Sequence, residues 1–338
     1  MNSIEITPVN EIKLGIIGLG LIGQQRVNAA LKLGVSEDNI VIFDPNISVR
    51  EKFSKNQMKF VASSSEFYSI QFDRIIIGTP HNVILEASTQ SLETGALVLL
   101  EKPMGRNLSE ARSLFSLQNS NRLSIGFNYR FMPGVVHLKE LLANDSLGSL
   151  TSINLELGHG GSPQDKKSWK LSAEISGGGA LLDPGIHLID LLLFLFDAKP
   201  EDIKIVGSTS WRGFWDTGID ESVSVIGYIK STIVQLNISL VWWRTQFKIS
   251  INGTEGYFEL EGRGRSDGPQ KSRRGKRWAW VEGISQIESE TTETHTTVDE
   301  SFVEETFAWL NDKKSNATAK DGLEAMIVYD LILGNLNE

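Results

Sequence analysis

The chain has 338 residues, of which 40% are hydrophobic and 22% are charged, and its formal net charge at pH 7 is −9. This length predicts two domains, and the near-average hydrophobic content argues against wholesale disorder. The acidic balance argues against general nucleic-acid binding, which needs clustered cations, and the absence of cysteine excludes disulfides, thiolate metal sites and cysteine nucleophiles.

The segment from Lys13 to about Phe127 alternates short apolar runs with stretches of helical period. Runs buried on both faces and separated by helices indicate a parallel sheet built from β-α-β units. We therefore predict a Rossmann dinucleotide-binding domain over residues 1–127. Its predicted strands are Leu14–Ile17, Ile40–Phe43, Arg74–Ile77, Leu97–Leu100 and Leu123–Phe127, with helices from about Leu21 and after Asn82.

The rest of the chain has longer segments of alternating or β-branched residues. Lys230-Ser231 and Asn252-Gly253 separate several of them and are typical of hairpins, which favours a mostly antiparallel sheet. We predict an α+β domain over residues 128–338 with a large open sheet, and final helices near Ser301–Asn311 and Asp321–Leu336. The predicted strands are Thr151–Leu157, Ile203–Thr209, Ser222–Ile229, Thr232–Val241, Phe247–Ile251 and Tyr257–Leu260.

Three features of the sequence bear on cellular location, membrane association and metal binding. Met1–Pro8 lacks a basic leader followed by an apolar stretch, so we expect a cytoplasmic protein. The most apolar run, Leu188–Phe196, contains Asp190 and is shorter than the roughly 20 residues that cross a membrane, so it predicts a core helix and no membrane partner. The five histidines are scattered, and no metal site is predicted.

A glycine-rich sequence, Gly18-Leu-Gly20-Leu-Ile-Gly23, joins the first predicted strand to the first predicted helix. Gly18 permits a tight turn, Gly20 lets a pyrophosphate approach the backbone, and Gly23 lets helix and strand pack closely. The helix N-terminus, with Leu21 and Ile22, supplies N–H donors. The pattern predicts a dinucleotide site; the alternative is a plain strand-to-helix turn.

Asp44 follows the second predicted strand, 21 positions after Gly23. A carboxylate near this position binds the adenosine ribose hydroxyls of NAD and repels the 2′-phosphate of NADP. NAD is therefore favoured over NADP. The alternative is that Asp44 only begins an Asp-Pro-Asn turn.

Polar residues also follow three later strands of this domain, at the carboxyl edge where ligands of such folds bind. Among them, His81 is expected at the nicotinamide or its ribose, or else is a loop residue without function. Pro103 restricts Lys102 to extended geometry and so fixes its direction. The residues are Thr79, Pro80 and His81; Glu101 and Lys102; and Asn128, Tyr129 and Arg130.

These sequences and a later one, in this order, resemble the glucose-fructose oxidoreductase, inositol dehydrogenase and MocA-like oxidoreductases over nearly the whole chain. The resemblance implies a carbohydrate-type substrate, and a homodimer or homotetramer formed through the open sheet. It also implies that the residues at the strand ends from Thr79 to Asn128 bind the cofactor. The sequences that carry it are Gly18-x-Gly-x-x-Gly23, Gly78-Thr-Pro80, Glu101-Lys-Pro103, Gly126-Phe-Asn-Tyr-Arg-Phe131 and Gly178-Gly-Ala-Leu-Leu-Asp183-Pro-Gly-Ile-His187-Leu-Ile-Asp190.

In this family a lysine, an aspartate and a histidine line the reaction site, and Lys102, Asp183 and His187 match them. Alcohol oxidation needs a base, and His187 is the candidate because an imidazole titrates near neutral pH. Lys102 would stabilise developing negative charge on the same oxygen. Asp183 precedes Pro184 and is predicted to cap a helix with His187 one turn along. The alternatives are a cap without catalytic duty and a satisfied buried histidine.

Substrate contacts are expected from Tyr129, Arg130 and Trp169, as well as from Lys102, Asp183 and His187. Trp169 would cover a sugar face, and Lys170 would contact a hydroxyl or carboxylate. Residues 261–285 are predicted as a long loop, in which positions 263–277 carry seven cations against one acid. That segment is either a solvated surface loop or closes over an anionic or nucleotide-linked substrate.

Three functions are open at this point. The leading one is an NAD-dependent dehydrogenase that acts on a sugar, polyol or sugar derivative. The second is a redox-neutral enzyme that cleaves glycosides or epimerises sugars with retained NAD. The third is a nucleotide-sensing binding protein, which the presence of Lys102, Asp183 and His187 argues against.

Overall fold

A computed structural model describes residues 8–52, 58–162, 166 and 168–336 of the chain. The chain divides into two compact units: the part up to Asn128 joined by Ser301–Leu323, and Tyr129–Glu300 joined by the part from Glu324 onward. The return of Ser301–Leu323 to the first unit differs from the predicted contiguous division at residue 128. None of the described helices is long and apolar enough to cross a membrane.

The first unit contains a seven-stranded sheet in which all neighbouring strands are parallel except one edge pair, which confirms the predicted Rossmann architecture. With strands numbered in chain order, they are β1 (Leu14–Ile17), β2 (Ile40–Phe43), β3 (Lys59–Val61), β4 (Arg74–Ile77), β5 (Leu97–Glu101), β6 (Leu123–Gly126) and β15 (Ala317–Thr318). The spatial order is β15-β6-β5-β4-β1-β2-β3, and β15 is the antiparallel edge strand.

Three helices of this unit begin at a glycine turn or a side-chain cap. The Ser63 hydroxyl accepts the Glu66 N–H, and the Asn107 amide oxygen accepts the Glu110 N–H, at the starts of two of them. The core packs Ile16 with residues of the neighbouring strands and helices. The helices are α1 (Leu21–Lys32), α2 (Ile47–Lys52), α3 (Ser64–Tyr68), α4 (Ile84–Glu93), α5 (Leu108–Phe115), α9 (Ser301–Leu310) and the start of α10 (Ala319–Leu336).

The second unit contains an eight-stranded sheet that is antiparallel except for one parallel pair, β7 with β10, so the predicted sheet is confirmed. Its strands are β7 (Leu150–Gly158), β8 (Ile203–Trp211), β9 (Ser222–Ile229), β10 (Thr232–Ser239), β11 (Gln246–Gly253), β12 (Gly256–Glu261), β13 (Gln270–Lys276) and β14 (Thr291–Thr296), in the order β14-β13-β12-β11-β7-β10-β9-β8. Its helices are α6 (Pro133–Ala143), α7 (Ala173–Ser176), α8 (Ile186–Leu195) and the end of α10.

One face of this sheet is covered by helices, and the other is open. Ile153, Leu155 and Leu157 of β7 are buried where α8 packs on the strand. On the opposite face the side chains alternate outward, and Ile226, Tyr228 and Ile233 are exposed. The pleat therefore leaves an apolar patch on the uncovered face.

The prediction of one loop over residues 261–285 was wrong, because β13 occupies Gln270–Lys276. Gln270 and Ser272 are buried while Lys271 and Arg273 are exposed, which is the alternation of a half-buried strand. Charged residues disfavour strands, but Arg273 pairs with Glu259 on the neighbouring strand and offsets that tendency.

Candidate active site

The glycine turn after β1 combines two close backbone contacts with one open position. A Cβ on Gly18, where φ is +87°, would lie 2.7 Å from the Gly78 carbonyl oxygen, and a Cβ on Gly23 would lie 2.0 Å from that of Gly18. A Cβ on Gly20, the residue before α1, would have no atom within 4 Å. Leu21 beside it is exposed and Ile22 is half-buried. The turn is tight at its base and open at the helix N-terminus.

Asp44, at the end of β2, holds this turn in place. Its Oδ2 accepts the Leu19 N–H at 2.7 Å, and its Oδ1 accepts the Asn46 N–H at 2.8 Å. Asp44 thus begins the turn that its sequence context suggested as the alternative, and its contact with ribose hydroxyls stays a prediction. Each carboxylate oxygen has about two acceptor sites, so capacity for ribose hydroxyls remains.

A buried hydroxyl lies at the end of β4. The Oγ1 atom of Thr79 is buried and has no hydrogen-bond partner among the described residues. Pro80 follows, and His81 begins a short 3₁₀ turn with only 4% of its surface exposed. An unsatisfied buried hydroxyl is costly, so a polar ligand group at this position would stabilise the site. The residues therefore fit a bound dinucleotide.

Glu101 has a partner that its sequence context did not predict. Its Oε1 accepts from Arg26 Nε at 2.6 Å, and Arg26 also pairs with Glu305 and donates to Thr306 Oγ1 at 3.1 Å. Burial alone would lower the pKa of Arg26, but the two carboxylates raise it. The Glu101 carboxylate thus belongs to a buried ion cluster, and its contact with a cofactor stays a prediction.

Two other predicted residues lie at strand ends of the first unit. Lys102 directly follows β5 and is half-buried, and its peptide bond to Pro103 is cis. Asn128 follows β6 with 2% of its surface exposed, and its Nδ2 donates to Ser301 Oγ at 2.7 Å. The side-chain amide of Asn128, a predicted cofactor contact, therefore already makes one hydrogen bond within the protein.

In the second unit, Asp220 shapes the glycine-rich segment that leads to Asp183. Its carboxylate accepts the N–H groups of Gly179 at 3.2 Å and Leu181 at 2.8 Å. A Cβ on Gly179 would lie 2.0 Å from the Asp220 carbonyl oxygen, so only glycine fits there. Burial raises the pKa of Asp220, against the opposing effect of those N–H donors. Sequence reasoning missed Asp220, because nothing in its local pattern marks it.

The predicted helix cap at Asp183 was wrong. Helix α8 begins at Ile186 with Gly185 before it, because the Asp183 N–H bonds the Gly179 carbonyl at 2.9 Å in a turn that ends first. Asp183 Oδ2 instead accepts from Lys170 Nζ at 2.8 Å.

Lys170 therefore contacts a carboxylate of the protein itself. Its ammonium lies 5.9 Å from the centre of the half-buried Trp169 ring. Trp169, Lys170 and Asp183 thus form one cluster, in which a cation–π contact adjoins an ion pair.

His187 lies in a layer of rings. The Tyr129 ring stacks on the imidazole with centroids 4.0 Å apart and planes 7° from parallel, and Phe247 packs edge-on against Tyr129 at 5.5 Å. Both His187 and Tyr129 are 5% exposed. The Tyr129 hydroxyl accepts from Arg263 Nη1 at 2.5 Å. The imidazole plane is thereby fixed.

Arg130, a predicted substrate contact, has an internal partner. Its guanidinium binds both carboxylate oxygens of Asp190, which lies one turn after His187 on α8, at 2.5 to 3.1 Å. Both side chains are buried, at 7% and 1% exposure. The buried pair attaches Arg130 to α8.

Three of the seven cations in the basic segment 263–277 are paired with carboxylates of the protein, and the role of the segment toward an anionic substrate stays a prediction. Arg263, Arg265 and Arg273 pair with Asp267, Asp299 and Glu259 respectively. No group of three or more His, Asp or Glu side chains suited to a metal ion occurs in the described ranges.

Two family models match this chain one after the other. The model described as the oxidoreductase family, NAD-binding Rossmann fold, matches residues 12–129. The GFO/IDH/MocA C-terminal domain matches residues 135–259.

Relatives and solved structures agree with this assignment. The chain is similar to glucose-6-phosphate 3-dehydrogenase of Bacillus subtilis, 30% identical over 233 residues that span 65% of each protein, just under two thirds of that enzyme's length. It is 28% identical to trans-1,2-dihydrobenzene-1,2-diol dehydrogenase of Bos taurus over 74% of each.

A crystal structure of a 3-ketoreductase from Actinomadura kijaniata, in complex with NADP and TDP-benzene, shares the fold. Its TM-score is 0.78 at 18% identity, and the match covers 96% of this chain and 98% of that one. The ordered motifs and the two consecutive family matches lead to one conclusion: the chain belongs to the GFO/IDH/MocA oxidoreductase family, with an NAD-binding Rossmann domain.

Proposed function

We propose that this protein is an NAD-dependent dehydrogenase that transfers a hydride between nicotinamide and the CH–OH or C=O group of a sugar, polyol or sugar derivative. The observation that carries the proposal is His187, a nearly fully buried imidazole whose ring plane is held by the parallel Tyr129 ring at 4.0 Å. A general base must be held within hydrogen-bond reach of the proton that it abstracts, and a fixed ring plane meets that requirement.

In the oxidation direction the substrate carbon loses a hydride and its hydroxyl loses a proton. Bound NAD supplies the hydride acceptor. His187 takes the hydroxyl proton and becomes imidazolium, a contribution worth roughly 10²–10⁴ in rate. The ammonium of Lys102 stabilises negative charge on the same oxygen, and Asp183, paired with Lys170, keeps its carboxylate beside the start of α8.

NAD is the proposed cofactor, with NADP less favoured. The Asp44 carboxylate supports this choice, since it accepts two backbone N–H groups and keeps acceptor capacity for ribose hydroxyls. The open space at Gly20 and the buried Thr79 hydroxyl support a dinucleotide as well.

The proposed substrate class draws on the relatives, which include a dehydrogenase of glucose-6-phosphate and one of a dihydrobenzene diol. An anionic or nucleotide-linked sugar remains among the substrates to test. The pairing of Arg263 and Arg265 with aspartates gives no support to those cations as its binding groups.

A homodimer or homotetramer is also proposed, formed through the open face of the eight-stranded sheet. The apolar patch of Ile226, Tyr228 and Ile233 supports this face, because such patches commonly mark interfaces. Light scattering after size-exclusion chromatography measures the mass, and a monomer would contradict this part of the proposal.

The test of the activity is the absorbance of reduced nicotinamide after the protein and NAD are mixed with free sugars, polyols, sugar acids, sugar phosphates and nucleotide sugars. A rise with the wild-type protein, lost in Lys102→Ala and kept in the control Lys13→Ala, supports the dehydrogenase. Consumption of substrate without that rise would indicate redox-neutral cleavage or epimerisation. Ligand binding without turnover would indicate a binding protein.

A further inference from the structure

We propose that Arg263 is a positioning residue that orients His187 through Tyr129, and that Asp267 holds Arg263 for this task. The inference rests on the proposed role of His187 as the base. It concerns residues of the second unit, of which Tyr129, His187 and Arg263 lie more than 50 residues apart in the sequence.

The contacts form a continuous series from the carboxylate to the imidazole. Asp267 Oδ2 accepts from Arg263 Nε at 2.6 Å, and Arg263 Nη1 donates to the Tyr129 hydroxyl at 2.5 Å. The Tyr129 ring then covers the imidazole of His187 at 4.0 Å. The side chains of Arg263 and Asp267 are only 9% and 2% exposed, so the series is shielded from water.

The burial of Tyr129 explains why Arg263 must reach its hydroxyl. The phenol of Tyr129 is buried with its ring, and a buried hydroxyl without a partner carries a desolvation cost. Arg263 supplies that partner at the hydroxyl end of the Tyr129 ring, and the Phe247 ring packs nearly perpendicular to the Tyr129 ring. The ring therefore has one orientation, and the imidazole stacked on it shares that orientation.

The loop that carries Arg263 is itself fixed. Between β12 and β13, the Gly264 N–H bonds the Gly268 carbonyl at 2.8 Å, and the Gly268 N–H bonds the Arg265 carbonyl at 2.9 Å. Burial opposes the charge of Arg263, but Tyr129 and Asp267 outweigh it and raise its pKa. Arg263 is thus a permanent cation on a rigid support.

Three ion pairs described in the second unit lie on or beside the elements that carry His187 and Tyr129. Arg130 binds Asp190 one turn along α8, and Lys170 binds Asp183 before that helix. The Arg263–Asp267 pair is a third, reached through Tyr129. Removing one member of a pair leaves a single charge, and its sign decides how the proton affinity of His187 changes.

Two substitutions should therefore have opposite effects. Arg263→Met leaves the Asp267 carboxylate, which favours imidazolium and raises the pKa of His187. Asp267→Asn leaves the Arg263 cation and lowers it. We expect displacements of about 0.5 pH unit or more in each direction. We also expect kcat to fall about tenfold to a hundredfold in Arg263→Met, with Kd for NAD within about twofold of wild type.

The experiment measures the titration of His187 by NMR in protein with ¹³C-labelled histidine, its signal assigned with His187→Gln, alongside the pH profile of kcat/KM. Arg265→Met and Asp299→Asn are matched controls, because Arg265 lies in the same loop as Arg263 and pairs with a different carboxylate, that of Asp299. Arg263→Lys keeps the positive charge and places an ammonium donor in the same position, and it should recover most of kcat.

The two hypotheses fail differently. If the wild-type protein reduces no NAD with any substrate, the proposed function fails, yet the opposite displacements of the His187 titration still test the positioning. If the dehydrogenase is active but both variants move the titration the same way, or no more than Arg265→Met and Asp299→Asn do, Arg263 does not position His187. Should Arg263→Met fail to fold, the Arg263→Lys and Asp267→Asn results decide.

Discussion

The two units build their chemically important regions in different ways. In the first unit the predicted cofactor site is formed mainly by backbone. Gly18, Gly20 and Gly23 determine how closely the chain segments of the turn approach, and Asp44 accepts an N–H of the same turn. In the second unit side chains from distant segments hold one another, as Arg263, Tyr129 and His187 do.

This difference separates two kinds of sensitivity. A backbone site tolerates changes in most side chains but not an added Cβ where two chain segments approach closely. A side-chain site depends on each partner, since the loss of one leaves a buried polar group or charge without compensation. The cofactor unit also contains an exception, the buried cluster around Arg26, in which side chains from distant segments bind one another.

The largest effect is expected from Arg26→Met, which tests that exception. The change leaves two buried carboxylates, Glu101 and Glu305, without their cation, and we expect a loss of about 3–5 kcal/mol in the free energy of unfolding. Urea titration measures it. Arg106→Met, which breaks an i,i+4 pair with Glu110, is the control and should cost less than about 1 kcal/mol. Equal losses in the two variants would contradict the buried role of Arg26.

Asp220→Ala should come next and tests the side-chain site. Two backbone N–H groups, those of Gly179 and Leu181, lose their acceptor, and we expect a loss of about 2–3 kcal/mol together with lower kcat. Asp220→Asn keeps one acceptor oxygen and should lose less. Urea titration and steady-state kinetics measure both quantities; an unchanged stability in Asp220→Ala would show that the glycine segment holds its shape by itself.

A smaller effect, confined to binding, is expected from Gly20→Ala. Its φ of −65° suits any residue and the added methyl meets no atom, so stability should not change. The methyl would, however, occupy the space proposed for the pyrophosphate and weaken NAD binding about tenfold. Calorimetric titration measures the affinity. Gly23→Ala is the contrasting variant, since its Cβ would lie 2.0 Å from a carbonyl oxygen and should destabilise the fold.

The smallest effect is a pH dependence from His295, on β14. Burial lowers its pKa, against the opposing effect of Glu293. The folded protein therefore binds fewer protons than the unfolded chain, and stability should fall as pH decreases below the unfolded value of about 6.5. The slope of unfolding free energy between pH 7 and lower values should be shallower in His295→Gln. A steeper slope in that variant would reverse the assigned sign.

Features that depend on local pattern were predictable from the sequence. Continuous apolar runs gave the first sheet, and the glycine spacing gave the turn before α1. The pairing of Arg263 with Tyr129, 134 residues away, was not predictable, because topology alone decides which distant segments meet. The prediction of a helix cap at Asp183 was wrong because the Asp183 N–H bonds the Gly179 carbonyl and extends the preceding turn.

The return of Ser301–Leu323 to the first unit makes that unit discontinuous along the chain. During synthesis Arg26 leaves the ribosome long before Glu305, so its buried ion cluster is completed only after residue 305 has been made. A truncation at residue 128 would also uncover the apolar surface that Trp309 covers. A minimal cofactor-binding fragment of this protein is therefore a fusion of its first 128 residues with residues 301–323.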